Sequence, residues 1–356
     1  MVPRARGASE SAIKPRRYGH GRFGTRRPSQ QQMSDSFIGV DVGGTKVAVA
    51  VLGDGELSHR GIQPTDATDG DALIDEICTF VESVRGDDAR AVGVGVPSVI
   101  DFDSGRIRAS VNVPLTDVPL RDILSERLGL PVFVDNDANA AALAEACENG
   151  EVVVANLVML TVGTGVGGGI VVNGRLYRGA SGAAAELGHT IVATGLDDGA
   201  PEPDRFPQPG SLESLAAGRA LDRLAEAAAA SRPDSTLGRL HAAGDEITGH
   251  QAVEAAKAGD EVAVDLLRVL GERLGIGIAN MINTLDPDVV AIGGGVSIAG
   301  ELLLEPAVRV ARAYVLPGVG TETEIRLSKH GPTGGVLGAA ILAKEELTRR
   351  DEREER

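Results

Sequence analysis

"FIGVDVGGTKVAVAVLGDGEL", residues 37–57, and "LVMLTVGTGVGGGIVVNGRLYRG", residues 157–179, decide the fold. Each reads as an apolar strand, a glycine-rich turn, a second strand, another turn and a third strand. Gly43 in the first stretch matches Gly163 in the second, and the next turn glycines, Gly55 and Gly174, follow 12 and 11 residues later. Repetition of such a unit at an offset of about 120 residues predicts two domains of related topology facing each other.

The chain between and around these units alternates strands and helices. "DALIDEICTFVESV" places Leu73, Ile74, Ile77, Phe80, Val81 and Val84 on one helical face. "AVGVGVPSVI" reads as a buried strand ending in a loop, "PLRDILSERLG" as a short helix with a glycine stop, "PVFVDN" as a strand and "DANAAALAEAC" as an alanine-rich helix. A strand-rich start followed by alternation predicts an α/β fold with a mixed sheet.

The turns suit phosphate. Glycines let a backbone approach closely and aim its N–H groups inward, while Thr45 adds a hydroxyl and Lys46 a charge. The spacing G-x-x-x-x-G-K-[ST] of a Walker loop is absent. "GTGVGGG" runs into the strand "IVVNG" and not into a helix, which argues against a Rossmann dinucleotide site. A third cluster, Gly293, Gly294 and Gly295 after "DPD", would let a nucleotide lie against a strand end.

Composition narrows the partners. The chain has 356 residues and a net charge of −16. Residues 1–32 carry eight basic residues and one acid, a balance of +7, so the remainder stands at −23. So acidic a body repels nucleic acid and anionic membrane, and neither is an expected partner. No stretch has the 18 or so uninterrupted apolar residues of a membrane span. Two cysteines, Cys78 and Cys147, build no disulfide framework, which fits a reducing cytoplasm. Five lysines against 30 arginines, with abundant acids, fit a high-salt cytoplasm, although a GC-rich genome would also favour arginine. The leader, residues 1–33, lacks apolar content and periodicity and is expected to be disordered, with Met33 as the expected natural start.

The loops, together with "VDNDANAAALAEA" and "AELGHT", resemble the ROK family (repressors, open reading frames, kinases) over about residues 37–345. The order D-x-G-G-T-K, N-D-A-N-A-A-A, G-T-G-x-G-G-G, E-x-G-H carries the resemblance. It implies the actin-like ATPase (ribonuclease H-like) fold, with a sugar and ATP cleft between two domains. The expected boundaries are 34–136 for the small domain, joined by a returning helix at about 333–349, and 137–332 for the large one. The implied activity is transfer of the γ-phosphate of ATP, with Mg²⁺, to a hexose. Glucose is the expected substrate, with N-acetylmannosamine, N-acetylglucosamine or fructose as alternatives. A homodimer or homotetramer is expected.

By position, Asp137 resembles the family's catalytic base, which takes the proton of the attacking sugar hydroxyl. Read alone, it serves equally well as the cap of the following helix, and in either role the helix N-terminus should keep it ionised. Asn136 would hold a sugar hydroxyl, as would Glu186, His189 and Glu213, with Asn112 a further contact. Without the resemblance, Glu186 and His189 read as a solvated acid and a satisfied histidine. Asp41 would place Mg²⁺ through water, while Gly43, Gly44, Thr45, Lys46, Gly163, Thr164, Gly165 and Gly167 surround the phosphates.

Two departures matter. The loop before Asn112 reads "GVPSVID" where members commonly carry P-G-P. Members also follow E-x-G-H with C-x-C-G-x-x-G-C, whose cysteines join the histidine on a structural zinc; here the segment 190–214 contains no cysteine. Asp197, Asp198, Glu202 and Asp204 are hard ligands unsuited to a closed zinc site, so no structural zinc is expected. A sugar-sensing repressor of the same family would need a helix-turn-helix ahead of Asp41, and the 40 preceding residues lack helical periodicity. A sugar-binding module without catalysis is opposed by Asp137 and both phosphate loops.

Overall fold

The computed structural model describes residues 35–66, 68–110, 112–195, 199–203 and 205–356. The leader and the carboxylates of Asp197, Asp198 and Asp204 lie outside these. Among the described residues no helix is long and apolar enough to cross a membrane.

The first glycine unit forms β1 (Ser36–Val42), β2 (Lys46–Gly53) and β3 (Glu56–Pro64), an antiparallel meander with Val42 opposite Val47. Helix α1 (Gly70–Val84) leads to β4 (Ala89–Val96), which lies parallel to β1 on its free edge. "SVIDFDSGRIRAS" then folds as a hairpin, β5 (Ser98–Asp101) and β6 (Arg106–Ser110), where the sequence pattern suggested only a loop. Helix α2 (Leu120–Leu128) returns the chain to β7 (Val132–Asn136), parallel to β4, and α3 (Asp137–Ala146) follows. The sheet order is β3-β2-β1-β4-β7.

After a short hairpin, β8 (Cys147–Glu148) and β9 (Glu151–Val152), the second unit repeats the scheme. Its meander is β10 (Leu157–Val162), β11 (Val166–Val172) and β12 (Arg175–Leu176), joined in parallel by β13 (Val289–Gly293) and β14 (Glu324–Leu327), giving β12-β11-β10-β13-β14. Order and strand sense match the first sheet. The crossover is longer here: α4 (Leu212–Ala216), α5 (Gly218–Ser231), α6 (Thr236–Ala243), α7 (Gly249–Lys257) and α8 (Glu261–Leu285) precede β13, and α9 (Glu301–Tyr314) precedes β14. The apolar face of α8, including Leu267, Leu270, Leu274 and Ile278, anchors the larger of the two main cores. Ile38, Val40, Leu73, Ile77 and Leu124 fill the other.

Two helices lace the repeats together. Helix α3 leaves the first sheet and packs on β10 and β11 of the second, whereas α10 (Gly334–Glu354) leaves the second sheet and packs on β1 and β4 of the first. They also pack on each other, and the contact is so close that a Cβ on Gly338 would lie 1.7 Å from the carbonyl oxygen of Ala140. The alanines of α3 and the glycines of α10 permit that approach. The first residues of both helices consequently sit at the C-terminal ends of parallel strands.

Candidate active site

Asn136, and not Asp137, caps α3. Its Oδ1 accepts from the N–H groups of Ala138 (2.9 Å) and Asn139 (3.3 Å), and its Nδ2 donates to the carbonyl of Ser98 at 3.3 Å. Asp137 is the first helical residue, with Oδ1 2.9 Å from the Ala138 nitrogen. Behind them Asp135 is buried: Oδ1 accepts from Asn136 N (2.8 Å) and Asn139 Nδ2 (2.9 Å), and Oδ2 accepts from Arg178 Nε at 2.7 Å. Arg178 stacks 3.5 Å over the ring of Phe102 and pairs with Glu346 at 3.3 Å. The sequence reading missed Asp135 and Arg178. An acid preceding the N-D motif was visible, but no local pattern links it to an arginine 43 residues away.

A cavity of about 60 Å³ opens in front of this motif, lined by Ser98, Asn136, Asp137, Gly167 and Glu186 among others. Asp41, the next-to-last residue of β1, lies opposite Gly95, and a Cβ on Gly95 would lie 3.4 Å from the Asp137 Cα, so the two acids approach from either side of that residue. Burial pushes the Asp137 carboxyl up, with the charge of Glu186 adding to it; N–H bonds at the helix start pull it down but do not prevail. The expectation that the helix N-terminus keeps Asp137 ionised therefore meets an opposing burial that outweighs it. Asp41 is pushed up to about 7, by burial first and the Asp137 charge second, with Lys46 opposing. Its carboxylate lies against the first turn of α10, where a Cβ on Gly335 would fall 2.4 Å from Oδ2. Gly335 is a third contributor absent from the sequence reading.

The glycine loops adjoin this pair. Gly43 donates to the Lys46 carbonyl at 2.8 Å and accepts from the Thr65 hydroxyl at 2.7 Å, which fixes the turn and leaves Gly44, Thr45 and Lys46 exposed. Asn112 is exposed and lies beside Gly44, outside the cavity. In the second loop Gly163 donates to Gly165 (2.9 Å) and accepts from Gly218 (2.7 Å), with Thr164 exposed at the tip. Gly167 lies within β11 against Ala138. Gly294, at φ +85°, rests on Val162, so Gly293 to Gly295 stand next to the Gly163 turn.

Glu186 and His189 bracket a short 3₁₀ turn, with Nε2 3.8 Å from Oε2. Glu186 lines the cavity, whereas His189 lies outside its lining and sets its ring edge-on to Phe206, centroids 5.8 Å apart. Glu213 also lies outside the lining. Its Oε2 accepts from the Val166 N–H at 2.8 Å and occupies the space a side chain on Gly165 would need. The structure therefore gives Glu213 a definite present partner in the phosphate-type loop.

The sequence pattern of the ROK family matches residues 37–346. This chain belongs to the ROK family. Like other ROK proteins it has the two-domain actin-like ATPase fold, and its duplicated sheets are the two halves of that fold. The chain is 37% identical over 324 residues to a glucokinase of Halalkalibacterium halodurans, covering 88% of this chain and 97% of that protein. A glucokinase of Streptomyces coelicolor is 35% identical over 315 residues, 86% of this chain and 97% of its own length. The crystal structure of a ROK family glucokinase from Streptomyces griseus in complex with glucose and AMPPNP is 35% identical, with a TM-score of 0.75 over 87% of this ROK chain and 99% of its own.

Proposed function

We propose that this protein is an ATP-dependent hexose kinase that converts glucose to glucose 6-phosphate. The similarity to a structure holding both glucose and AMPPNP carries this reading, because it extends over nearly the whole of that chain. The geometry supports the following roles. Asn136 and Glu186, in the cavity wall, hold sugar hydroxyls and bring one beside Asp137. Asp137 accepts the proton of that hydroxyl as its oxygen attacks the γ-phosphate; general-base assistance of this kind is worth about 10²–10⁴-fold. A carboxyl raised by burial is better matched to that task than one at its usual value. His189 and Glu213 complete the sugar site when the cleft closes on substrate, and Asn112 approaches from beside Gly44.

The Gly43–Lys46 and Gly163–Gly165 turns present N–H groups, the Thr45 hydroxyl and the Lys46 ammonium to the phosphates, with Gly293 to Gly295 beside the nucleoside. The hard oxygens of Asp41 and the unfavourable proximity of two acids fit Mg²⁺, held by Asp41 through water. Bound there, Mg²⁺ offsets phosphate charge. Among the described residues no ligand set fits a structural zinc: Cys78 lies in α1 and Cys147 in β8, and the described ends of the segment after His189 are joined by main-chain bonds, Val192 N–H to Gly210 (2.8 Å) and Leu212 N–H to Thr190 (2.9 Å).

A coupled ADP-release assay over a panel of hexoses tests the reading. Glucose should give the highest kcat/KM. Turnover of an N-acetylhexosamine without turnover of glucose would replace the substrate, and absence of turnover with every sugar would end the kinase assignment.

A further inference from the structure

We propose that the groove along the α3–α10 seam is a second binding site, taking a small organic anion with an apolar body. It has a volume of about 330 Å³, within the range of small-molecule pockets and well above the cavity that holds Asp137. Its walls come from distant parts of the chain: Leu57 and Arg60 on β3, Glu145 near the end of α3, Lys329 and His330 in the strap before α10, and Leu337 on α10 itself.

The chemistry of this lining is uneven. Leu337 and Leu57 are half-buried and give it an apolar wall. Arg60 and Lys329 stand exposed on the groove, and neither has a carboxylate partner among the described residues. His330 keeps its Nε2 buried without a hydrogen-bond partner, an unsatisfied polar group that costs free energy unless something fills it. Two unpaired cations and an orphaned ring nitrogen on one groove are unusual in a chain of net charge −16, where carboxylates outnumber cations.

The acids present do not reverse this balance. Glu145 is spent internally: Oε1 accepts from the Ser328 hydroxyl (2.5 Å) and the N–H of Lys329 (2.8 Å), and Oε2 accepts from Arg326 (2.5 Å). Glu148 is the one exposed carboxylate in the lining. An anionic headgroup would thus meet Arg60, Lys329 and His330, while its apolar part lies on the leucines. Such a ligand touches both lacing helices. Glu145 ties the strap to α3, so both lacing helices and the strap hold the groove in shape.

Fluorescence of 8-anilinonaphthalene-1-sulfonate, an aryl sulfonate, tests the proposal with the kinase held saturated in glucose and AMPPNP. One saturable probe site per chain should persist under those conditions. The double variant Arg60→Gln/Lys329→Gln should weaken it at least tenfold with Tm and glucose turnover unchanged. Leu337→Trp, which fills the groove and removes no charge, should abolish it, and keeps the test decisive if the double variant misfolds. Hexyl phosphate should displace the probe at concentrations where inorganic phosphate does not. Absence of probe binding, its loss on adding glucose and AMPPNP, equal binding by both variants, or equal displacement by inorganic phosphate would each overturn the proposal. The readout is binding and not turnover, so failure of the kinase assignment would leave it separately testable.

Discussion

Arg178 Nε lies 2.7 Å from Asp135 Oδ2, and that carboxylate's other oxygen holds the backbone of Asn136 and the side chain of Asn139. The N-D-A-N motif is therefore braced from behind by a charge on the loop just after β12. Asp135 is almost completely enclosed, and breaking one partner of a buried pair strands the other charge. Arg178→Ala should cost about 3–5 kcal/mol in urea unfolding. Arg178→Met with Asp135→Asn should recover most of it, and a double variant as unstable as the single would show that the pair is not the cause.

Asp137→Asn should lower kcat by about 10²–10⁴-fold while glucose binding, by calorimetry, stays within about tenfold, because the amide keeps the shape but cannot take a proton. A variant retaining a tenth or more of wild-type turnover would leave Asp137 a structural role only.

The charge of Glu186 helps to raise the Asp137 carboxyl, so Glu186→Gln should move the acid limb of kcat to lower pH. Activity falls as Asp137 is protonated, which makes the limb a direct report of its ionisation. An unmoved limb would separate the two residues electrostatically. A drop in glucose affinity is expected alongside and does not affect this reading of kcat.

Asp41 is raised from 3.8 to about 7 in the folded chain. Between those values the native state holds a proton that the unfolded state has released, so metal-free stability falls as pH rises through this window and stays reduced above it. Asp41→Asn should therefore stabilise the metal-free protein at pH 8, by up to about 4 kcal/mol before solvent relaxation, and have little effect near pH 4. Guanidinium melts at both pH values check this; a destabilised variant at pH 8 would show that the ionised carboxylate is favourable where it sits.

Phe206 holds the His189 ring edge-on in a segment that contains no cysteine. An aromatic contact of this kind is worth about 0.5–1.5 kcal/mol. Phe206→Ala should raise KM for glucose several-fold with kcat nearly unchanged, and purified wild-type protein should contain well under one zinc per chain by elemental analysis. Stoichiometric zinc would show that metal, and not the aromatic contact, fixes His189.

The sequence by itself determined the two glycine-strand units, because a strand–turn–strand pattern is a local property of alternating apolar residues and φ-permissive turns. It likewise determined the family and the identity of the acids at strand ends, since each signature motif is compact, its residues within a few positions of one another, and the motifs follow in a fixed order. Tertiary structure decided the rest. That Asn136 caps α3 and frees Asp137 depends on which side chain the helix N–H groups reach, a choice among neighbours that composition does not make. That Asp137 is raised and not lowered depends on its burial first, with the charge of Glu186, 49 residues away, adding to it, and together they outweigh the N–H bonds of the helix start. The exchange of α3 and α10 between the sheets, which carries Asp137 and Asp41 to one place, rests on contacts such as Gly338 with Ala140, nearly 200 residues apart; packing of that range leaves no periodic trace in the chain.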